Sequence, residues 1–225
     1  MVTVLLQAEP EALEIDLIRT AVIVVDMQNA FVSKGGMFDL WGFDVSSNQK
    51  MIEPIKRLNS AARGRGCKII YVAHRYSPDF REAGNPLSAN RYKSRSIKDY
   101  IEYPEWRDKF IVRETWGADI VEELAPQGHD ILIEKTRYSA FFNTNLDTIL
   151  RTYDLKYLIF VGVATNMCVE ASMRDAYNLE YFPILVSDAT MNSGPPFMQE
   201  ATLFNVKTNF GWVTTTENVI KLMPV

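Results

Sequence analysis

Short, continuously apolar runs alternate along this chain with stretches that are apolar on one helical face, and the alternation predicts a layered α/β fold. Ala21–Val25, Lys68–Ala73, Ile131–Ile133, Tyr157–Val161 and Phe182–Val186 are rich in β-branched and aromatic residues, and Trp212–Thr214 adds a sixth run. They are too apolar throughout for strands with one wet face and too brief for buried helices. Strands of a parallel sheet covered on both sides are therefore predicted. Between them, Met51–Ala62 repeats apolar residues at helical spacing and stops near Gly64 and Gly66. Thr144-Asn-Leu-Asp147 reads as a variant of the capping box ahead of Ile149 and Leu150, and Cys168–Tyr177 and Met198–Val206 supply two more helices. Together these elements predict a doubly wound, three-layer α/β/α fold with a mostly parallel six-stranded sheet.

The rhythm fails between residues 75 and 110, where the chain is polar, aromatic and irregular. Tyr76, Tyr92, Tyr100, Tyr103 and Trp106 are unfavourable to leave in water, so this insertion is expected to be a lid or a subunit contact rather than disorder. No linker, repeat or low-complexity tract divides the 225 residues, and residues 1–225 read as a single domain. The net charge of −4 and the scattered basic residues argue against a nucleic-acid partner. With two cysteines, no basic opening segment followed by a long apolar run, and no run long enough to span a bilayer, a reducing cytoplasmic setting is expected, without membrane contact.

Candidate chemistry enters at the carboxyl ends of three predicted strands. Asp26 directly follows Ala21–Val25, Lys135 follows Ile131–Glu134, and Cys168 follows the Tyr157–Val161 strand after a short turn. In a parallel sheet these ends share one edge, so an acid, a base and a nucleophile distant in sequence converge there. Cys168 sits just inside a predicted helix start, where amide N–H groups and the helix dipole favour its thiolate. Each residue alone also has an inert reading. An aspartate at a strand end caps the next segment, a lysine there lies on the surface, and a cysteine in an apolar helix start is a small hydrophobe. Cys67, on the amino-terminal side of its strand, is assigned to structure.

Ala21-Val-Ile-Val-Val-Asp-Met-Gln-Asn-Ala-Phe31, Glu134-Lys-Thr-Arg-Tyr-Ser-Ala-Phe-Phe142 and Gly162-Val-Ala-Thr-Asn-Met-Cys-Val-Glu170 resemble the isochorismatase-like cysteine hydrolases. The likeness extends from about Ile18 to about Thr214. It implies that Asp26, Lys135 and Cys168 form a catalytic triad, that the Val163–Ala164 bond is cis, and that the Ala164 and Cys168 amides form an oxyanion hole. It also implies hydrolysis of a ureido or carbamoyl C–N bond through a thioester on Cys168. The leading substrate is ureidoacrylate, converted to aminoacrylate with release of carbamate or carbon dioxide and ammonia in pyrimidine degradation. By the same resemblance His74, Tyr76, Glu82, Ser94 and Tyr138 line the substrate site, and the protein is a homodimer or homotetramer. His74 is a departure, because relatives acting on ureidoacrylate place an asparagine amide there.

Phe31, Phe38 and Trp41 form either an aromatic wall or ordinary core. Biuret, N-carbamoyl compounds and nicotinamide-like amides remain alternative substrates. Vinyl ether hydrolysis of the isochorismatase type and a noncatalytic interaction role are the rival classes. His74 and His129 are the two histidines and supply no His-rich zinc constellation, and His129 lies in a predicted turn. No metal and no redox cofactor are expected.

Overall fold

The computed structural model describes residues 3–223. The strands are β1 (Thr3–Leu6), β2 (Leu13–Asp16), β3 (Thr20–Val25), β4 (Lys68–His74), β5 (Ile131–Lys135), β6 (Tyr157–Val163), β7 (Phe182–Met191) and β8 (Trp212–Thr214). The last six form a fully parallel sheet with the spatial order β5-β4-β3-β6-β7-β8. All six apolar runs are therefore strands. The chain starts the sheet at its centre, builds outward through β4 and β5, then crosses back to lay β6 on the other side of β3. The order reverses between β3 and β6, and such a switch point leaves a crevice at the carboxyl ends of the strands.

Alternate residues of the inner strands β3, β4 and β6 enter opposite cores, whereas the edge strand β5 has one wet face, with Leu132 and Glu134 exposed, contrary to the expectation for its run. Val22, Val24, Ile69, Tyr71, Ile159 and Val161 pack with Ile55, Leu58 and Ala62 of the helix Ile52–Gly64. Ala21, Ile23, Ile70, Val72, Leu158 and Phe160 pack with Leu146, Leu150, Met173 and Ala176 from the helices Leu146–Thr152 and Glu170–Asn178. The result is three layers, with no helix among the described residues long and apolar enough to cross a membrane.

Several local expectations need correction. The helix after Thr144 has no capping box: Thr144 Oγ1 accepts from Leu146 N–H at 3.1 Å, and Asp147 instead holds Arg151 and the Tyr181 hydroxyl. Residues 75–110 are not irregular throughout, because they contain the short helices Ala89–Lys93 and Arg95–Glu102 and further 3-10 turns. An antiparallel ribbon, β1 (Thr3–Leu6) and β2 (Leu13–Asp16), was not foreseen. Glu9 beyond it exchanges two backbone hydrogen bonds with Val213, which covers the open edge of β8.

Candidate active site

Three strand ends deliver their side chains to one point. Asp26 N–H still donates to Val72 O at 2.9 Å as the last β3–β4 link, and its φ of +50° then turns the chain away from the sheet. Lys135 closes β5, two strands away, with His74 of β4 as its register partner. The long lysine stem spans that gap, placing Nζ 2.8 Å from Asp26 Oδ2 and 3.4 Å from Cys168 Sγ, with a further hydrogen bond to Arg137 O at 3.1 Å. Cys168 comes from the turn after β6, where the Val163–Ala164 bond is cis. Donor atoms of Asp26, His74 and Cys168 all lie within 4.8 Å of one another. That set would suit a soft divalent ion, but the Lys135 ammonium already holds the cationic position between carboxylate and sulfur.

Cys168 does not occupy the first turn of an α-helix. It is the fourth residue of a π-helical turn, Thr165–Val169, and the regular helix begins at Glu170. Ser172 Oγ donates to Cys168 O at 2.6 Å and accepts from Ala140 N–H at 2.9 Å, tying the turn to the loop after β5. Burial pushes the thiol's pKa up, the Asp26 carboxylate pushes the same way, and Lys135 opposes both. The balance works toward the thiol, against the dipole that the sequence places to favour the thiolate. Burial also raises Asp26 above the ordinary carboxylate value, although Lys135 pulls it down. For Lys135, burial works against the charge, but the Asp26 carboxylate, joined by the sulfur whenever it ionises, outweighs it and holds the ammonium above its usual value. The three protons are thus coupled. Asp26 Oδ1 has no hydrogen-bond partner among the described residues.

Asp26 and Cys168 line the floor of a cavity of about 490 Å³, and Lys135 is fully buried behind them. Phe31, Phe38, Trp41, His74, Tyr76, Ser94, Tyr138, Val163 and Ala164 all line it. The aromatic residues are thus both wall and core, with Phe31 and Phe38 edge-to-face at 4.9 Å. His74 is buried, its Nε2 has no partner among the described residues, and burial together with the charges of Lys135 and Arg137 holds its pKa well below the ordinary histidine value. Its ring is neutral at pH 7. The Tyr76 hydroxyl donates to Thr136 O at 3.1 Å and accepts from Asn90 Nδ2 at 3.3 Å.

Glu82 is not brought into the cavity. Its carboxylate accepts from Arg113 at 2.7 Å and from the Ser77 hydroxyl and amide. Burial alone would raise it, but these partners hold its pKa down to about 2. Three contributors had no role assigned from sequence. Gln28, fully buried, accepts from His74 N–H at 2.7 Å and donates to His74 O and Ala118 O, fixing the end of β4 beside the triad. Its place two residues after Asp26 was the available signal. Lys93 and Arg95 flank Ser94 on the cavity wall.

A family model described as the Isochorismatase domain matches residues 20–218. Ureidoacrylate amidohydrolase RutB of Agrobacterium fabrum is 48% identical over 210 residues, covering 93% of this chain and 92% of that protein. RutB of Serratia proteamaculans is 47% identical over 217 residues, covering 96% and 88%. A cysteine hydrolase structure from Pseudomonas syringae pv. phaseolicola aligns with a TM-score of 0.76 at 32% identity, covering 93% of this chain and 94% of that one. An N-carbamoylsarcosine amidase structure from Thermoplasma acidophilum shares the fold, with a TM-score of 0.66 at 21% identity, covering 88% and 97%.

Proposed function

We propose that this chain, which belongs to the isochorismatase family, is a cysteine-dependent amidohydrolase that cleaves ureidoacrylate to aminoacrylate in pyrimidine degradation. One observation carries the chemistry: Lys135 Nζ meets Asp26 at 2.8 Å and Cys168 at 3.4 Å, and Asp26 and Cys168 line the floor of a cavity. The identity to relatives named for ureidoacrylate supports the substrate.

On this reading Asp26 takes the thiol proton as Cys168 Sγ attacks the ureido carbonyl, and Lys135 offsets the charge moving between sulfur and carboxylate. The negative charge gathered on the carbonyl oxygen is met by the Ala164 and Cys168 amides. Asp26 returns the proton to the departing nitrogen, so that aminoacrylate leaves and a carbamoyl thioester remains. Water, deprotonated by Asp26, then adds to the thioester; the C–S bond breaks, Asp26 returns the proton to the Cys168 sulfur, and carbamate leaves and decomposes to carbon dioxide and ammonia. Each step is a proton or acyl transfer, so no electrons need an external carrier. His74 and Tyr138 hold the ureido group, with neutral His74 acting through its unpartnered Nε2, and Ser94 contributes a hydroxyl. We assign residues 75–110 as a lid or subunit contact of a single-domain, cytoplasmic homodimer or homotetramer.

The test is ammonia release from ureidoacrylate, biuret and primary amides by the wild-type protein and by Cys168→Ala. Turnover of ureidoacrylate that falls by about 10³-fold or more in the folded variant, together with a mass increment on Cys168 during wild-type turnover, is expected. Normal turnover by the variant excludes the covalent route.

A further inference from the structure

We propose that Lys93 and Arg95 form an anion-binding subsite on the cavity wall that takes the substrate's carboxylate and so selects ureido acids over neutral ureas and amides. The inference deepens the amidohydrolase reading and rests on it for the identity of the substrate. Both residues line the cavity whose floor carries Cys168, and Asp26 is the acidic side chain that lines it with them. Asp26 is already matched by Lys135 at 2.8 Å. Arg95 is paired with Asp99 at 3.1 Å while Lys93 meets no carboxylate among the described residues, so the wall carries net positive charge.

The Arg95 guanidinium is held in place. Its Cζ lies 4.6 Å from the centroid of the Trp41 ring, and its Nε donates to Asp99 Oδ2 at 3.1 Å. The same oxygen accepts from Trp41 Nε1 at 2.8 Å, so indole and guanidinium are fixed by one anchor. Only Nε is spent on that anchor. The two terminal nitrogens have no hydrogen-bond partner among the described residues, which leaves the planar edge that suits a carboxylate. Lys93 meets no carboxylate or other acceptor among the described residues, so its ammonium is available as a second charge. The Ser94 and Ser96 hydroxyls, hydrogen-bonded to each other at 2.9 Å, line the same wall and leave one short-range donor.

A neutral urea such as biuret gains nothing from this arrangement, whereas a ureido acid places its reacting carbonyl at the floor and its carboxylate against the wall. Specificity of this kind is read as a ratio of kcat/KM values. The experiment compares ureidoacrylate with its methyl ester, for wild type, Arg95→Gln, Arg95→Lys and Lys93→Gln. Wild type is expected to prefer the acid at least tenfold. Arg95→Gln should lower that preference at least tenfold, mainly through KM for the acid, with partial recovery in Arg95→Lys and a smaller loss in Lys93→Gln. A purely structural role, through loss of the Trp41 stack, would depress acid and ester alike and leave the ratio unchanged, which overturns the proposal. Calorimetric binding of the same pair to Cys168→Ala separates this result from failure of the amidohydrolase reading, since it needs no turnover. Acid bound tighter than ester, with the difference lost in Cys168→Ala/Arg95→Gln, supports the subsite even if wild type releases no ammonia; equal binding of acid and ester sinks it.

Discussion

A shorter or uncharged side chain at position 135 would leave Asp26 and Cys168 without the ammonium that touches both. The consequence follows from the charges alone. Burial pushes both the carboxylate and the thiol toward their protonated forms, and Lys135 opposes that push on each. Lys135→Met keeps most of the stem and its volume while deleting the charge. Stranding a buried charge costs about 3–5 kcal/mol, but Asp26 can escape most of this by taking up a proton. The variant should therefore fold, with a thiol harder to ionise. Alkylation of Cys168 by iodoacetamide at pH 8, followed by peptide mass spectrometry, should slow at least tenfold and need a higher pH to recover. Cys67, buried at the other end of β4, serves as the internal reference. An unchanged rate at Cys168 would mean that the ammonium does not govern the sulfur's charge.

β6 and the turn after it show what an element must supply for those side chains to meet. Gly162 has φ of +108°, and a Cβ built there would lie 2.1 Å from Val25 O, immediately before Asp26. Any side chain at 162 must therefore push apart the strand ends that carry the acid and the nucleophile. Gly162→Ala should lose about 2–4 kcal/mol of stability from the combined strain and overpacking, together with most activity. Gly128→Ala is the matched control, since φ is +55° there but nothing lies within 4 Å, and it should lose about 1 kcal/mol or less and keep its activity. Urea denaturation and ammonia release read both; equal losses in the two variants would remove close packing as the cause. The same region marks what the sequence could reveal. The strands were legible because each carries a short run of apolar, mostly β-branched or aromatic residues, even on β5, where Leu132 and Glu134 face water. The π-helical turn at Thr165–Val169 was not, because one extra residue per turn leaves no trace in composition. Glu82 was placed at the site by resemblance alone, and its pairing with Arg113, 31 positions further on, leaves no local trace in the sequence. β7 runs on past Val186 to Met191 through a register shift, and Ser187 and Asp188 interrupt the apolar pattern that would have announced it.

Over the whole molecule, the two cysteines mark opposite edges of the sheet, and both respond to burial in the same direction. Cys67 packs at the amino end of β4 with its Sγ 3.4 Å from Leu17 O, and burial pushes its pKa from 9.0 up to about 11. Cys168 is pushed up as well, and Lys135 is held above its ordinary value. In each case the folded state keeps a proton that the unfolded chain gives up at lower pH. Unfolding therefore releases protons above pH 9, and stability is fully present below the unfolded thiol value and falls as pH rises through the folded one. For Cys67 the shift from 9.0 to about 11 corresponds to about 2–3 kcal/mol. The thermal midpoint should therefore hold steady from pH 7 to 8.5 and decline between pH 9 and 11. Cys67→Ala loses some packing at every pH, so its midpoint starts lower, but its decline over the same interval should be shallower than that of wild type. Comparing the two slopes by differential scanning calorimetry isolates the ionisation from the packing loss. Parallel slopes would show that Cys67 is not held as a buried thiol, and would leave the alkaline loss to Cys168 and Lys135 at the other edge.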